Sequence, residues 1–81
     1  MAPSDAARDA AFTEHRPLLF SIAYRMLGSA ADAADMVQEC YLRWRGAEET
    51  YVHAPKQYLT TTVTRLCINH LQSARVRIAG D

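Results

Sequence analysis

Apolar residues recur along this chain at helical rather than strand spacing. In FTEHRPLLFSIAYRML (residues 12–27), Phe12, Leu19, Ile22, Ala23 and Met26 form one stripe, and Phe20, Tyr24 and Leu27 broaden it. So wide an apolar face predicts a central helix. Pro17 has no N–H to give to the preceding turn, so the helix is expected to begin near Thr13 or to bend at Pro17. Gly28 suits a left-handed helix cap. Ser29, with Asp32 three residues on, resembles a capping box and opens a second helix.

That second helix, ending near Arg45, collects Ala30, Ala33, Ala34, Val37, Cys40, Tyr41 and Trp44 on one arc, its predicted core face. The opposite arc carries Asp32, Asp35, Gln38, Glu39, Leu42, Arg43 and Arg45, which leaves Leu42 exposed among acids and an amide. The pattern then breaks in GAEETYVHA (residues 46–54), a polar loop longer than a helical bundle needs, and Pro55 is placed to open a third helix. In PKQYLTTTVTRLCINHLQSARVR (residues 55–77), Leu59, Val63, Leu66, Cys67, Ala74 and part of Leu71 face the core, with His70 read as a hydrogen-bonded core histidine. The other face presents Tyr58, Thr61, Arg65, Asn69, Gln72 and Arg75. The β-branched run TTTVT costs helix propensity, and packing must compensate.

With 81 residues the chain is one domain, and with 49% hydrophobic and 22% charged residues it is globular rather than disordered. The pattern predicts an all-α fold, a small three-helix bundle with room for a short extra helical turn at the N-terminus. Cys40 and Cys67 have neither metal spacing nor a secretory context, so both are read as buried thiols. No membrane span or signal peptide is visible, and a cytoplasmic location is expected. There is no phosphate loop, metal-ligand cluster or nucleophile elbow. The chain is therefore expected to be no enzyme and to hold no cofactor or metal.

Net charge is zero, but residues 1–49 carry a net −3 and residues 56–78 a net +4, the latter with no acid at all. Such a split suggests two partners, the second a polyanion. On composition alone, both helix faces also read as ordinary solvated surface. Three functional classes stay open at this point: a nucleic-acid-binding module, a small regulator reading duplex DNA, and a purely protein-binding module.

The residues themselves resemble a known family. DAADMVQECYLRWR is similar to the D-A-E-D-L-V-Q-E-T-F-L-R-A-W run of sigma-70 family RNA polymerase sigma factors of the extracytoplasmic-function (ECF) group. QYLTTTVTRLCINHLQSARVR resembles that group's W-L-Y-R-I-A-R-N-L-A-I-D-H-L-R-R segment. With FSIAYRMLGS ahead of them, the resemblance runs from Phe12 to Arg77 and points to domain two (region 2) only. It implies residues 1–11 as a tail, 12–78 as the helical domain, and 79–81 as the start of a linker leading to a −35-binding domain that is not in this chain.

In that family, domain two docks on the clamp coiled coil of the largest catalytic subunit of RNA polymerase and captures the non-template strand of the melted −10 element. The resemblance makes Asp32, Asp35, Gln38, Glu39, Leu42 and Arg45 the polymerase-binding residues. It assigns the DNA to Tyr58, Thr61, Arg65, Asn69, Gln72, Arg75 and Arg77, with Tyr51, Val52 and His53 in the loop that receives a flipped base. It also admits an anti-sigma factor as a partner. Tyr58 stands where the family often has tryptophan, Asn69 where it has aspartate, and Gln72 where it has arginine.

Overall fold

The computed structural model describes residues 5–80, apart from the side chains of Glu49, Tyr51 and residues 76–80. The described residues form three long helices and one single-turn helix: α1 (Asp5–Leu27), α2 (Ala30–Arg45), α3 (Glu49–Val52) and α4 (Pro55–Gly80). No strand occurs among them. The three long helices enclose one core of Phe12, Leu19 and Ala23 from α1, Ala33, Val37, Cys40 and Trp44 from α2, and Leu59, Val63, Leu66 and Cys67 from α4. No charged or polar residue is buried among the described positions.

Local chemistry sets each boundary. Gly28 takes φ +70°, a left-handed conformation that a side chain disfavours, and its N–H donates to the Tyr24 carbonyl at 2.8 Å to close α1. Ser29 follows as N-cap, its hydroxyl accepting from the Asp32 N–H at 3.2 Å. At the other end of α2, the Gly46 N–H donates to the Arg43 carbonyl at 3.2 Å and the Ala47 N–H to the Trp44 carbonyl at 3.1 Å. Within the threonine run, the Thr60 and Thr64 hydroxyls find acceptors in the Lys56 and Thr60 carbonyls one turn back, at 2.8 and 2.7 Å, and burial of Leu59 and Val63 on the same helix offsets the propensity cost.

Four expectations need correction. First, α1 does not begin near Thr13: it starts at Asp5 and runs through Pro17. Thr13 and Pro17 are both exposed, so water can serve the backbone carbonyl that Pro17 leaves without a donor. The added turns pack on the end of α2. Second, the polar loop contains the helical turn α3. Third, Ala30 and Ala34 are exposed, because the buried stripe of α2 is narrower than the apolar arc.

Fourth, His70 is not a core residue. Its side chain is 31% exposed, with Nε2 3.6 Å from Asp32 Oδ2, so it bridges α4 to the first turn of α2. Leu71 is likewise 43% exposed.

Candidate nucleic-acid and protein interfaces

The outer face of α2 follows from its 3.6-residue period. With Ala33, Val37, Cys40 and Trp44 turned inward, Asp35, Gln38 and Leu42 are left exposed on the far side. Leu42 is 55% exposed, the highest value among the large apolar side chains described. Glu39 is half-buried beside them, its Oε1 3.7 Å from Arg43 Nε in an i,i+4 pair.

The other two residues expected on this face are engaged elsewhere in the chain. Asp32 approaches His70, as above. Arg45 turns toward α1: Nη2 lies 3.0 Å from Asp5 Oδ2 and Nη1 lies 3.4 Å from Asp9 Oδ1. Arg45 also donates to the Tyr41 hydroxyl at 2.7 Å, and that hydroxyl donates to Asp9 at 2.9 Å. The hydrogen bond to Tyr41, followed by the charge of Asp5, holds the Arg45 guanidinium above its ordinary pKa. The structure thus separates Arg45 from the Leu42 face, because the N-terminal turns of α1 bring two carboxylates to it.

On α4 the outward residues Thr61, Arg65, Asn69, Gln72 and Arg75 are exposed, as the period predicts. Tyr58 is only half-exposed. Its ring packs at 5.6 Å and 46° against that of Trp44, and its hydroxyl donates to the Arg43 carbonyl at 3.4 Å. A depression of about 330 Å³ opens at this end of α4, lined by Ala54, Gln57, Tyr58, Thr61, Thr62 and Arg65. Beside it, Thr60 and Thr64 extend the surface along the helix.

Of the connecting-segment residues, His53 is exposed and Val52 is partly buried, packed against the core. The side chains of Tyr51 and Arg77 lie outside the described residues.

Ala54, Gln57 and Thr62 line the depression without having been singled out from the sequence. Gln57 carried a readable signal: it precedes Thr61 and Arg65 at successive steps of four, so the three share a ridge. Chemically, the depression joins an aromatic edge, a guanidinium, a primary amide and hydroxyls, with no carboxylate anywhere on α4. An aromatic or guanidinium plane stacks on a base, the guanidinium also pairs with phosphate, and the amide can both donate to and accept from base edges.

Among the described residues no group of three or more His, Cys, Asp or Glu side chains could hold a metal ion. No described helix is long and apolar enough to cross a membrane.

Residues 11–77 match the family model for sigma-70 region 2. The chain is 46% identical over 66 residues to the ECF RNA polymerase sigma factor SigJ of Mycobacterium tuberculosis (strain ATCC 25618 / H37Rv), covering 82% of this chain and 21% of that protein. It is 37% identical over 68 residues to the probable ECF RNA polymerase sigma factor SigI of Mycobacterium tuberculosis (strain CDC 1551 / Oshkosh), covering 84% of this chain and 23% of that one. The chain therefore spans about a fifth of the length of these curated relatives. No solved structure matches it significantly.

Proposed function

Because this chain belongs to the sigma-70 region 2 family, we propose that it is the promoter-recognition domain of an ECF sigma factor, acting in transcription initiation in the cytoplasm without catalysis of its own. Asp35, Gln38, Glu39 and Leu42 on α2 meet the clamp coiled coil of RNA polymerase. The depression at the start of α4 receives an unpaired base of the −10 element, and Arg65, Asn69, Gln72 and Arg75 follow the non-template strand.

The observation that carries this reading is the depression itself: Tyr58, Gln57 and Arg65 surround it on a helix that has basic residues and no acid. A base held there gains stacking and amide contacts that a paired base cannot make, each unpaired base contributing roughly 1–3 kcal/mol. That gain offsets the unstacking cost of a few kcal/mol and favours the open strand over the duplex.

Two titrations test the proposal. In the first, fluorescein-labelled mixed-sequence DNA of about ten nucleotides, within the site size of such surfaces, is offered as a single strand and as a duplex. Preference for the single strand, weakened by Gln57→Ala, is expected; equal or stronger binding of the duplex would overturn the reading in favour of a duplex-reading regulator. In the second, a clamp coiled-coil fragment should bind the chain, and Gln38→Ala or Glu39→Lys should weaken the complex. Unchanged binding by both variants would remove the docking assignment.

A further inference from the structure

The first turns of α1 lie outside the segment that matches the family, which begins at residue 11, yet they make several polar contacts with α2. One of these contacts reaches toward the nucleotide depression. Arg8 and Trp44 hold each other reciprocally: Arg8 Nη1 donates to the Trp44 carbonyl at 2.9 Å, and Trp44 Nε1 donates to the Arg8 carbonyl at 2.8 Å. The Arg8 guanidinium carbon also lies 5.8 Å from the centroid of the Trp44 ring.

Trp44 is fully buried, so its indole N–H needs an acceptor inside the protein, and α1 supplies it from its backbone. The Trp44 carbonyl, in the last turn of α2, already accepts from the Ala47 N–H at 3.1 Å, and the helix C-terminus there favours an added cationic donor. Arg8 supplies the indole's acceptor from its backbone and the cationic donor from its side chain. The Trp44 ring then packs at 5.6 Å on the Tyr58 ring, which forms a wall of the depression with Gln57 and Arg65.

We propose that the N-terminal turns of α1, residues 5–10, are a positioning element for the depression on α4, with Arg8 acting through Trp44 on Tyr58. Arg8 touches no nucleic acid in this scheme. It fixes the tilt of Trp44, and that tilt fixes where the Tyr58 ring stands relative to Arg65. The neighbouring contacts of Asp9 with Tyr41 and Arg45 anchor the same turns to α2 but lead away from Tyr58. The effect on DNA rests on the function proposed above; the effect on Tyr58 does not.

The test uses the 81-residue chain with Arg8→Ala, Arg8→Lys and Asp9→Ala. Trp44 is the sole tryptophan, so its emission reports directly on the contact. Arg8→Ala should shift that emission, move the Tyr58 ring resonances and weaken single-stranded DNA binding roughly three- to tenfold, the size that one cation–π contact supports. Arg8→Lys, which retains a donor for the Trp44 carbonyl, should recover most of the affinity. Asp9→Ala should lower the thermal midpoint while leaving Tyr58 and DNA affinity in place.

Unmoved Tyr58 resonances in Arg8→Ala, or an equal loss of affinity in Asp9→Ala, would overturn the proposal. If the unsubstituted chain bound no DNA, the nucleic-acid reading would fall, and the Tyr58 resonances would still decide whether Arg8 positions that ring.

Discussion

Leu42 and Trp44 stand two positions apart on α2, yet Leu42 is 55% exposed and Trp44 is fully buried. Two steps along a helix turn a side chain to nearly the opposite side, so the pair separates what the helix offers a partner from what holds the fold. Trp44→Ala should cost about 3–5 kcal/mol by chemical denaturation, the range for emptying a large aromatic site. Leu42→Ala should change stability by less than about 0.5 kcal/mol, as surface substitutions do, while weakening the complex with the clamp fragment. A Leu42 variant that loses stability but binds normally would reverse the assignment.

Arg65 offers a measurement of how the α4 face works. If its guanidinium contacts a phosphate, Arg65→Ala should weaken binding of all single strands alike and reduce the slope of log affinity against log salt by about one. Arg65→Lys should restore the slope but not the full affinity where the planar group also stacks. An unaltered salt slope in Arg65→Ala would show that Arg65 makes no phosphate contact.

The α1–α2 corner predicts two stability losses with different origins. Beyond the two adjoining residues, no heavy atom lies within 4 Å of where a Cβ on Gly28 would stand, so Gly28→Ala meets no tertiary clash and its cost is conformational. At φ +70° this should be about 1–2 kcal/mol. Ser29→Ala removes the cap on the Asp32 N–H and should cost about 1 kcal/mol. Urea unfolding of both single variants measures these values, and Gly28→Asn should lose less than Gly28→Ala because asparagine tolerates the left-handed region.

The cysteines predict an alkaline limit. Burial pushes the Cys40 thiol up to about 11 from 9.0, and burial also raises Cys67. Above pH 9 the unfolded chain releases these protons while the folded chain keeps them, so the unfolded state binds fewer protons and stability falls as pH rises. The decline should run from about pH 9 toward pH 11, and Cys40→Ala should flatten it in denaturation measured across that range. At pH 8 a thiol reagent should label the folded chain far more slowly than the unfolded one.

Much of this molecule was legible because helix formation is local. The periods of α2 and α4, the Gly28-Ser29 corner and the start of α4 at Pro55 all follow from neighbours within a few residues, and the structure has them where those neighbours point. The outward placement of Leu42, Gln38, Arg65 and Gln72 follows from the same period. Family membership was legible too, carried by DAADMVQECYLRWR.

What the sequence could not decide is where long-range partners meet. The alanine-rich run at residues 5–11 permits a helical turn locally, but its packing place is set by Tyr41, Trp44 and Arg45, more than thirty residues away. The same docking takes Arg45 from the Leu42 face, and the approach of α4 to α2 brings His70 out of the core to Asp32. Sequence alone determined which face of each helix is apolar, because periodicity is a property of one helix. Only the tertiary structure decided how much of each face is covered and which polar groups find one another, because that depends on how the helices lie together.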